Sequence, residues 1–390
     1  MSGLDYALLV VTLLVAISGY VEGFVLGACA TLGLMAGAAI GVYGVPRVLD
    51  RFSPSVEVSF AALVLVVLFA SIGRTVGAIL GSKLRNKISW KPVKAVDALG
   101  GAVLAAVSVL IVAWVLGVAV SGARIPSVTS AVRGSEVLAK VDEALPSSAD
   151  KALQAFNDVV NTDLFPRFLD PFVPERIRDT QPPDAAIARQ PAVRDARSRI
   201  AKITGVANCS RGLEGSGFVY GPQRVMTNAH VVAGVGNPKV EVGDKSYDAT
   251  VVLFDPSVDI AVLYVPKLNA TPLRFDEAGK ADAAAVVLGF PENGPFDAEP
   301  ARIRSEERLR GPDIYGDKTV TRRAFSIWAS VRPGNSGGPL LSPRGTVYGV
   351  VFAASVEDNR TGYVLTAGQV AADATAGLKA TQEVSTRSCT

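Results

Sequence analysis

From Arg332 to Leu341 the chain reads R-P-G-N-S-G-G-P-L-L. Ser336 stands among Gly334, Asn335, Gly337 and Gly338, just ahead of an apolar run with the character of a strand. Such a turn exposes a serine Oγ, and glycines let backbone N–H groups come close to a substrate oxygen. The same composition also makes plain turns, so a nucleophile can be read here only if the surrounding sequence supplies its partners.

The surroundings are β-type from Ile203 onward. Candidate strands cover 215–220, 224–227, 240–243, 249–253, 260–265, 285–290, 324–329, 347–354 and 363–365, with Gly, Pro and Asn between them. Many short strands punctuated in this way predict an all-β sandwich or barrel. One helix closes the region: Thr366 with Gln369 three residues on forms a capping box, and the helix is expected to run to about Gly377.

Two further motifs precede the serine turn. Thr227-Asn228-Ala229-His230 ends one strand, and Val258-Asp259-Ile260-Ala261-Val262-Leu263 opens another. His230 is the only histidine in the chain, so any step that needs imidazole falls to it. In the reaction these residues suit, Ser336 Oγ attacks a carbonyl while His230 takes its proton and returns it to the leaving amine. Asp259 holds the imidazole tautomer, with Asp255 as a rival for that role. The N–H groups of Gly334 and Ser336 are the expected oxyanion hole, where a donor contributes about 3 kcal/mol.

The N-terminal part is of another kind. Apolar segments run over 6–21, 23–45, 58–73 (with an extension to Leu80) and 98–122, the last without a charge. Four such segments predict four transmembrane helices, since a cleaved signal peptide can imitate only the first. Gly33, Gly37, Gly41 and Gly100 suit close helix packing in lipid. The embedded charges Glu22 and Arg74 lie near segment ends, which favours an anchor over a transport path. Lys83, Arg85, Lys87, Lys91 and Lys94 between the third and fourth segments outnumber Arg47 and Arg51 between the second and third. The positive-inside rule puts the richer loop in the cytoplasm, and everything after Gly122 outside.

Residues 123–200 link the two parts. Val137, Leu138, Val141 and Leu145 share one helical face, and Ser147 to Asp150 can start a second helix carrying Leu153, Phe156 and Val160. Beyond Pro166 the segment turns rich in Pro and Arg, and reads as an extended charged tether. The sharper alternatives are a segment clipped to release the soluble domain, or one packed over it as a restraint. The expected domains are thus a membrane unit at 1–122, the linker at 123–200 and a β domain at 201–390.

Composition removes other classes. A net charge of +3 with no basic stripe interleaved with aromatics does not favour nucleic acid. Three cysteines without a Cys-x-x-Cys pair, and a lone histidine, leave no metal site, and no cofactor is called for. The oligomeric state is not encoded in any pattern here. Cell-envelope or secreted proteins and the membrane lipid are the expected partners.

Taken together, Gly215-Ser216-Gly217-Phe218, T-N-A-H-V-V, D-I-A-V-L and G-N-S-G-G-P-L resemble chymotrypsin-fold serine proteases, most of all the bacterial HtrA-like branch, over about residues 200–380. The four-segment front end resembles colicin V production proteins. The combination is similar to the actinobacterial membrane-anchored periplasmic proteases of the MarP type, linked to survival in acid. The resemblance implies two perpendicular β-barrels with the triad between them. Two departures stand out. No PDZ domain is expected after the last helix, and Asn335 stands where digestive proteases have the aspartate that pairs with a newly cut N-terminus. By spacing, Ser330 falls at the base of the specificity pocket, with Val351, Phe352, Ala353 and Ala354 as one wall, which suits a small or medium uncharged side chain. Cys209 and Cys389 both fall on the outer side, where a disulfide is permitted. Pairing them would clip the C-terminal tail to the barrel, and two free thiols are the alternative. A rival to the protease is a membrane scaffold or transport accessory whose β domain only binds peptides.

Overall fold

The structure, a computed structural model, describes residues 1–49, 56–121, 126–145 and 171–389. The chain divides into two compact units, one of residues 1–117 with 135–144 and one of 118–134 with 145–390.

The first unit carries α1 (Gly3–Glu22), α2 (Phe24–Leu49), α3 (Val56–Arg85) and α4 (Lys91–Ser121). All four are long and apolar enough to cross a membrane. Their outward faces carry Leu13, Leu14, Leu32, Met35, Val103 and Leu116, exposed apolar surface of the kind that suits lipid. The four expected spans are present, but the third and fourth helices are longer than expected, the fourth starting at Lys91 so that Lys91 and Lys94 lie in it. The third helix continues through Arg74, so Lys83 and Arg85 lie in its last turn rather than in a loop. Backbones touch where glycines permit it: a Cβ on Gly33 would lie 2.2 Å from the Gly73 carbonyl oxygen.

Two short helices follow, α5 (Pro126–Arg133) in the second unit and α6 (Glu136–Ala144) in the first. The latter is the helix expected from Val137, Leu138, Val141 and Leu145. Ser135 Oγ donates to Asp5 Oδ1 at 2.6 Å just before it, and Trp114 Nε1 donates to Asp142 Oδ1 at 2.7 Å. The expected helix with Leu153, Phe156 and Val160 lies outside the described residues.

The second unit is built on two antiparallel sheets. The first comprises β1 (Ile200–Val206), β2 (Gly212–Gly221), β3 (Arg224–Thr227), β4 (Lys239–Val242), β5 (Lys245–Asp248), β6 (Thr250–Asp255) and β7 (Ile260–Tyr264), in the order β5-β4-β1-β2-β3-β7-β6. The second comprises β8 (Ala284–Gly289), β9 (Asp297–Pro312), β10 (Thr319–Trp328), β11 (Pro339–Leu341), β12 (Val347–Ala354) and β13 (Thr361–Thr366), and closes in the order β10-β13-β12-β11-β8-β9. By hydrogen bonding the first sheet is curled and open, which tempers the expectation of two closed barrels. Each sheet encloses its own apolar cluster, Val219, Val225, Val240 and Leu263 in one and Val287, Ile303, Ile327 and Val364 in the other. A third cluster, with Phe218, Met226, Ile260, Leu288, Phe352 and Leu365, joins strands of both sheets. Burial of these side chains, each contributing about 1.5–3 kcal/mol, fixes the two sheets against each other.

Three strands escape the sequence pattern: β1, β5 and β9. The last is the instructive one, because Ser305 to Arg310 alternates half-buried and exposed and carries Glu306, Glu307, Arg308 and Arg310. This part pairs with β10 as a long hairpin, held by cross-strand contacts such as Arg323 with Glu306 at 2.7 Å rather than by an apolar face.

A short 3-10 turn (Ala185–Arg189) and α7 (Pro191–Ala196) precede β1. Ile187, Val193 and Ala196 are buried in the cluster shared by both sheets. Upstream, Arg178 Nη1 donates to the Arg304 carbonyl at 2.9 Å, Arg304 Nη1 donates to the Arg178 carbonyl at 2.7 Å, and Thr180 Oγ1 donates to Asp282 at 2.7 Å. The described part of the Pro- and Arg-rich segment is therefore docked, not a free tether. Prolines leave few backbone donors there, and arginine side chains make the contacts instead.

The last helix is α8 (Ala367–Lys379), capped by Thr366 Oγ1, which accepts from the Gln369 N–H at 3.1 Å. The reciprocal half of the expected capping box is absent, since Gln369 Oε1 accepts from the Arg323 N–H at 2.8 Å instead.

Candidate active site

His230 follows β3 at the start of a tight turn. Val231 and Val232 anchor this turn in the first sheet's core, so the backbone beneath the imidazole is immobilised by packing. Asp259 lies just before β7 and is fully buried, with the left-handed φ of +72°. That conformation is costly for a non-glycine residue. It is held by the Asp259 N–H donating to the Asp255 carbonyl at 2.9 Å and by Asn228 Nδ2 donating to the Asp259 carbonyl at 2.7 Å.

The carboxylate of Asp259 meets His230 twice. Oδ2 lies 2.7 Å from Nδ1, and Oδ1 accepts the His230 backbone N–H at 3.0 Å. An ionised carboxylate only accepts, so Nδ1 carries the proton and Nε2 presents its lone pair away from Asp259. Asp255 is engaged otherwise, its Oδ1 accepting from the N–H groups of Ser257 and Val258 at 2.7 and 3.2 Å. Behind this turn the buried Arg322 donates from Nε to the Ser257 carbonyl at 2.9 Å and from Nη1 and Nη2 to the Pro312 carbonyl at 3.1 Å. Burial lowers the pKa of its guanidinium, and the charges of Asp259, Asp313 and Asp255 act against that shift.

The serine turn is locked from several sides. Asn335 N–H donates to the Arg332 carbonyl at 3.0 Å, and Gly334 has φ +87°. Pro333 and Gly334 in the two central positions make this a type II turn. The Glu292 N–H donates to the Pro333 carbonyl at 2.7 Å, so that peptide's oxygen is turned toward Glu292 and its N–H, on Gly334, faces the other way. Ser336 is half-buried, and its carbonyl accepts the Ser216 N–H at 2.8 Å. Gly337, at φ +84°, sits where a Cβ would lie 2.2 Å from the Ser216 carbonyl oxygen and 3.0 Å from the Asn228 nitrogen. The serine turn thus packs directly on the β2 and β3 segments that lead to His230.

The residues expected around the specificity pocket divide. Ser330 is exposed, its N–H donating to Glu299 Oε1 at 3.3 Å. Val351 turns its side chain into the second sheet's core, while its N–H and carbonyl bond to the Gly338 carbonyl and the Gly337 N–H at 2.9 and 2.8 Å. Phe352 falls at a register shift and is buried in the shared core. Ala353 is buried opposite Tyr363, and Ala354 is half-buried opposite Gly362.

A disulfide joins Cys209 to Cys389 across 180 residues. It holds the tail against the turn after His230: the Gly234 N–H donates to the Thr386 carbonyl at 3.0 Å, and Thr386 Oγ1 donates to the Val235 carbonyl at 3.1 Å.

Other contributors are not singled out by the sequence. Glu175 accepts from the Tyr363 hydroxyl at 2.7 Å and from the Val356 N–H at 3.2 Å. The Arg133 guanidinium pairs with Glu357 at 2.9 Å and donates to the Val173 carbonyl at 2.7 Å. The segment upstream of β1 and α5 therefore both grip the loop between β12 and β13. Glu175 and Arg133 sit in charged or polar stretches, where the pattern carries no signal. Ser216 is visible only as part of the G-S-G-F motif, and Glu292 acts through a backbone N–H that any residue would supply.

Comparison with known proteins agrees with this geometry. A trypsin-like peptidase domain matches residues 215–350, and a colicin V production protein model matches residues 4–146. The serine protease Rv3671c of Mycobacterium tuberculosis is 42% identical over 390 residues, covering 99% of this chain and 98% of that protein. The crystal structure of its protease in the active form is 50% identical, with a TM-score of 0.54, and covers 57% of this chain and 98% of that one. A putative serine protease of Synechocystis, HhoB, is 34% identical over 158 residues, covering 39% of this chain and 37% of that protein. Near-full-length identity to Rv3671c, four apolar helices and a trypsin-like peptidase domain together mean that this chain belongs to the family of membrane-anchored, extracytoplasmic serine proteases that includes Rv3671c.

Proposed function

We propose that Ser336, His230 and Asp259 form the catalytic triad of this serine endopeptidase, which cuts peptide bonds of cell-envelope proteins on the outer side of the membrane. One observation carries the reading: the single histidine of the chain is held at two points by a fully buried carboxylate, beside a glycine-framed serine turn. Ser336 Oγ attacks the scissile carbonyl. His230 Nε2 receives its proton and passes it to the leaving amine, while Asp259 stabilises the imidazolium formed between the two steps. The N–H groups of Gly334 and Ser336 bind the oxyanion, a role supported by the Gly334 N–H facing away from Glu292 in its type II turn.

The two sheets serve as the two barrels of a chymotrypsin-like fold, the first completed by its own core rather than by hydrogen bonds between its end strands. The peptidase domain takes in the docked residues 171–200 in addition to 201–390, and residues 1–122 anchor it. Ser330, Ala353 and Ala354 border the specificity pocket, together with the backbone of Val351 and Phe352, and favour a small or medium uncharged side chain before the cut. A role in acid or stress resistance follows from the family resemblance.

A fluorophosphonate probe tests the reading. Labelling of the folded, oxidised protein that Ser336→Ala abolishes supports it, and no labelling at any pH points to a membrane scaffold with a peptide-binding domain. Comparing secreted proteins in cells with the parent and with Ser336→Ala then identifies the substrates.

A further inference from the structure

Ser216 is fully buried in β2 and bonds to the serine turn, to β3 ahead of His230 and to the loop after β8. Its N–H donates to the Ser336 carbonyl at 2.8 Å, and its carbonyl accepts the Thr227 hydroxyl at 2.7 Å. Its hydroxyl accepts the Phe290 N–H at 2.9 Å and donates to the Gly334 carbonyl at 2.6 Å. Chemistry fixes these directions, because an amide N–H only donates and a carbonyl oxygen only accepts. The hydroxyl gives its one proton and uses one of its two lone pairs, in a fully buried place where water cannot substitute.

The bond to Gly334 matters because of the turn it joins. Types I and II differ by a rotation of the central peptide, here Pro333–Gly334, through about half a turn. Such a flip would carry the Gly334 N–H away from the oxyanion position and bring the Pro333 carbonyl toward it. Two bonds oppose it. The Glu292 N–H holds the Pro333 oxygen, and Ser216 Oγ holds the next oxygen along, that of Gly334. Both anchors trace to one loop, since Phe290 orients the Ser216 hydroxyl and Glu292 bonds directly. That loop is itself in a demanding conformation, with Glu292 and Asn293 at φ +54° and +55°.

We propose that Ser216 is a positioning residue for the oxyanion hole: its hydroxyl couples the loop after β8 to the Gly334 peptide and keeps the Gly334 N–H aimed at the developing oxyanion. This rests on reading Ser336 as the nucleophile and Gly334 as an oxyanion donor. A clamp of this kind acts on the transition state and not on ground-state peptide binding.

The test uses the full-length protein in detergent. Ser216→Ala is compared with the parent for kcat and KM on a peptide substrate and for affinity toward a peptide boronate, whose tetrahedral adduct occupies the oxyanion hole. Affinity for the uncleaved peptide is measured in the Ser336→Ala background with and without Ser216→Ala. The expected result is a kcat lower by roughly 10-fold to 100-fold, part of the about 10²–10³ that loss of an oxyanion donor costs. Boronate affinity should fall in parallel while ground-state peptide affinity changes by no more than about 2-fold. Ser216→Cys keeps most of the volume with a weak donor, and carries the same comparison if the alanine variant does not fold. An active parent with kcat unchanged in the folded variant overturns this inference alone, and so does an equal loss of kcat and ground-state affinity. A parent that neither hydrolyses peptides nor takes the fluorophosphonate overturns the reading of Ser336, and this inference with it.

Discussion

Asp259 holds His230 by two atoms at once, Oδ2 at 2.7 Å from the ring Nδ1 and Oδ1 accepting the backbone N–H at 3.0 Å. Ring orientation and backbone position are therefore set by one carboxylate. Asp259→Asn keeps an acceptor for the backbone N–H but also puts an amide beside Nδ1, which favours the wrong tautomer. The kcat should fall by about 10⁴ with the fold retained. Steady-state kinetics beside circular dichroism checks this; a loss below about 10-fold would contradict the assigned role.

The Cys209–Cys389 bond should couple stability to activity, because the tail it holds bonds to Gly234 and Val235, a few residues beyond His230. Closing a loop of this length stabilises by roughly 5 kcal/mol in chain-entropy models, with measured effects often smaller. Cys209→Ser should lower both the melting temperature and peptide hydrolysis, and dithiothreitol should do the same to the parent but nothing further to the variant. If Cys209→Ser leaves both quantities unchanged, the coupling does not exist.

Glu175 supplies the acceptor for a buried phenol. Burial first, and then the neighbouring Glu175, push the Tyr363 pKa upward, so the phenol stays neutral and donates. Glu175→Ala leaves both the hydroxyl and the Val356 N–H without this partner, at about 1–3 kcal/mol for the buried phenol and less for the half-buried Val356. Urea unfolding should show the loss, and hydrogen exchange should speed up at Val356 in the loop between β12 and β13. Unchanged exchange there would mean that the docked segment does not restrain the loop.

Asp373 on α8 carries a pH-dependent cost. Burial first, and then the charge of Asp255, raise its carboxyl from 3.8 to about 6. A raised folded-state pKa means the folded protein binds this proton more tightly than the unfolded chain does. The resulting stabilisation is complete below the unfolded value and is lost as pH rises through about 6. Asp373→Asn should therefore raise the melting temperature at pH 7 and leave it nearly unchanged at pH 4. Equal effects at the two values would remove the ionisation argument.

Much of the site is legible along the chain because its signals are local. The Gly-Asn-Ser-Gly-Gly turn, the strand-ending His230 and the strand-opening Asp259 each need only their neighbours. The short apolar runs announce most of the strands in the same way. Where the pattern fails, the stabilising contact is remote or carries no apolar mark. From Ser305 to Arg310 β9 alternates half-buried and exposed residues and carries four charges, and its pairing with β10 shows only in the folded hairpin. Gln369, read as half of a capping box, serves the Arg323 N–H brought to it by β10. Ile187 and Val193 stand singly among prolines and arginines, so nothing in the segment announces that it docks.

The sequence by itself determined that this protein is a four-span membrane anchor joined to a β-rich domain with one histidine, one framed serine and an acid between them, because hydropathy runs and turn composition are properties of adjacent residues. The tertiary structure alone decided which acid faces the imidazole, and which hydroxyl clamps the serine turn. Asp255 and Asp259 lie on one turn, and only the left-handed backbone at Asp259 aims the second at His230. Ser216 reaches Gly334 across 118 residues of chain, a contact that exists only when the cores of two sheets bring β2 under the turn that precedes β11.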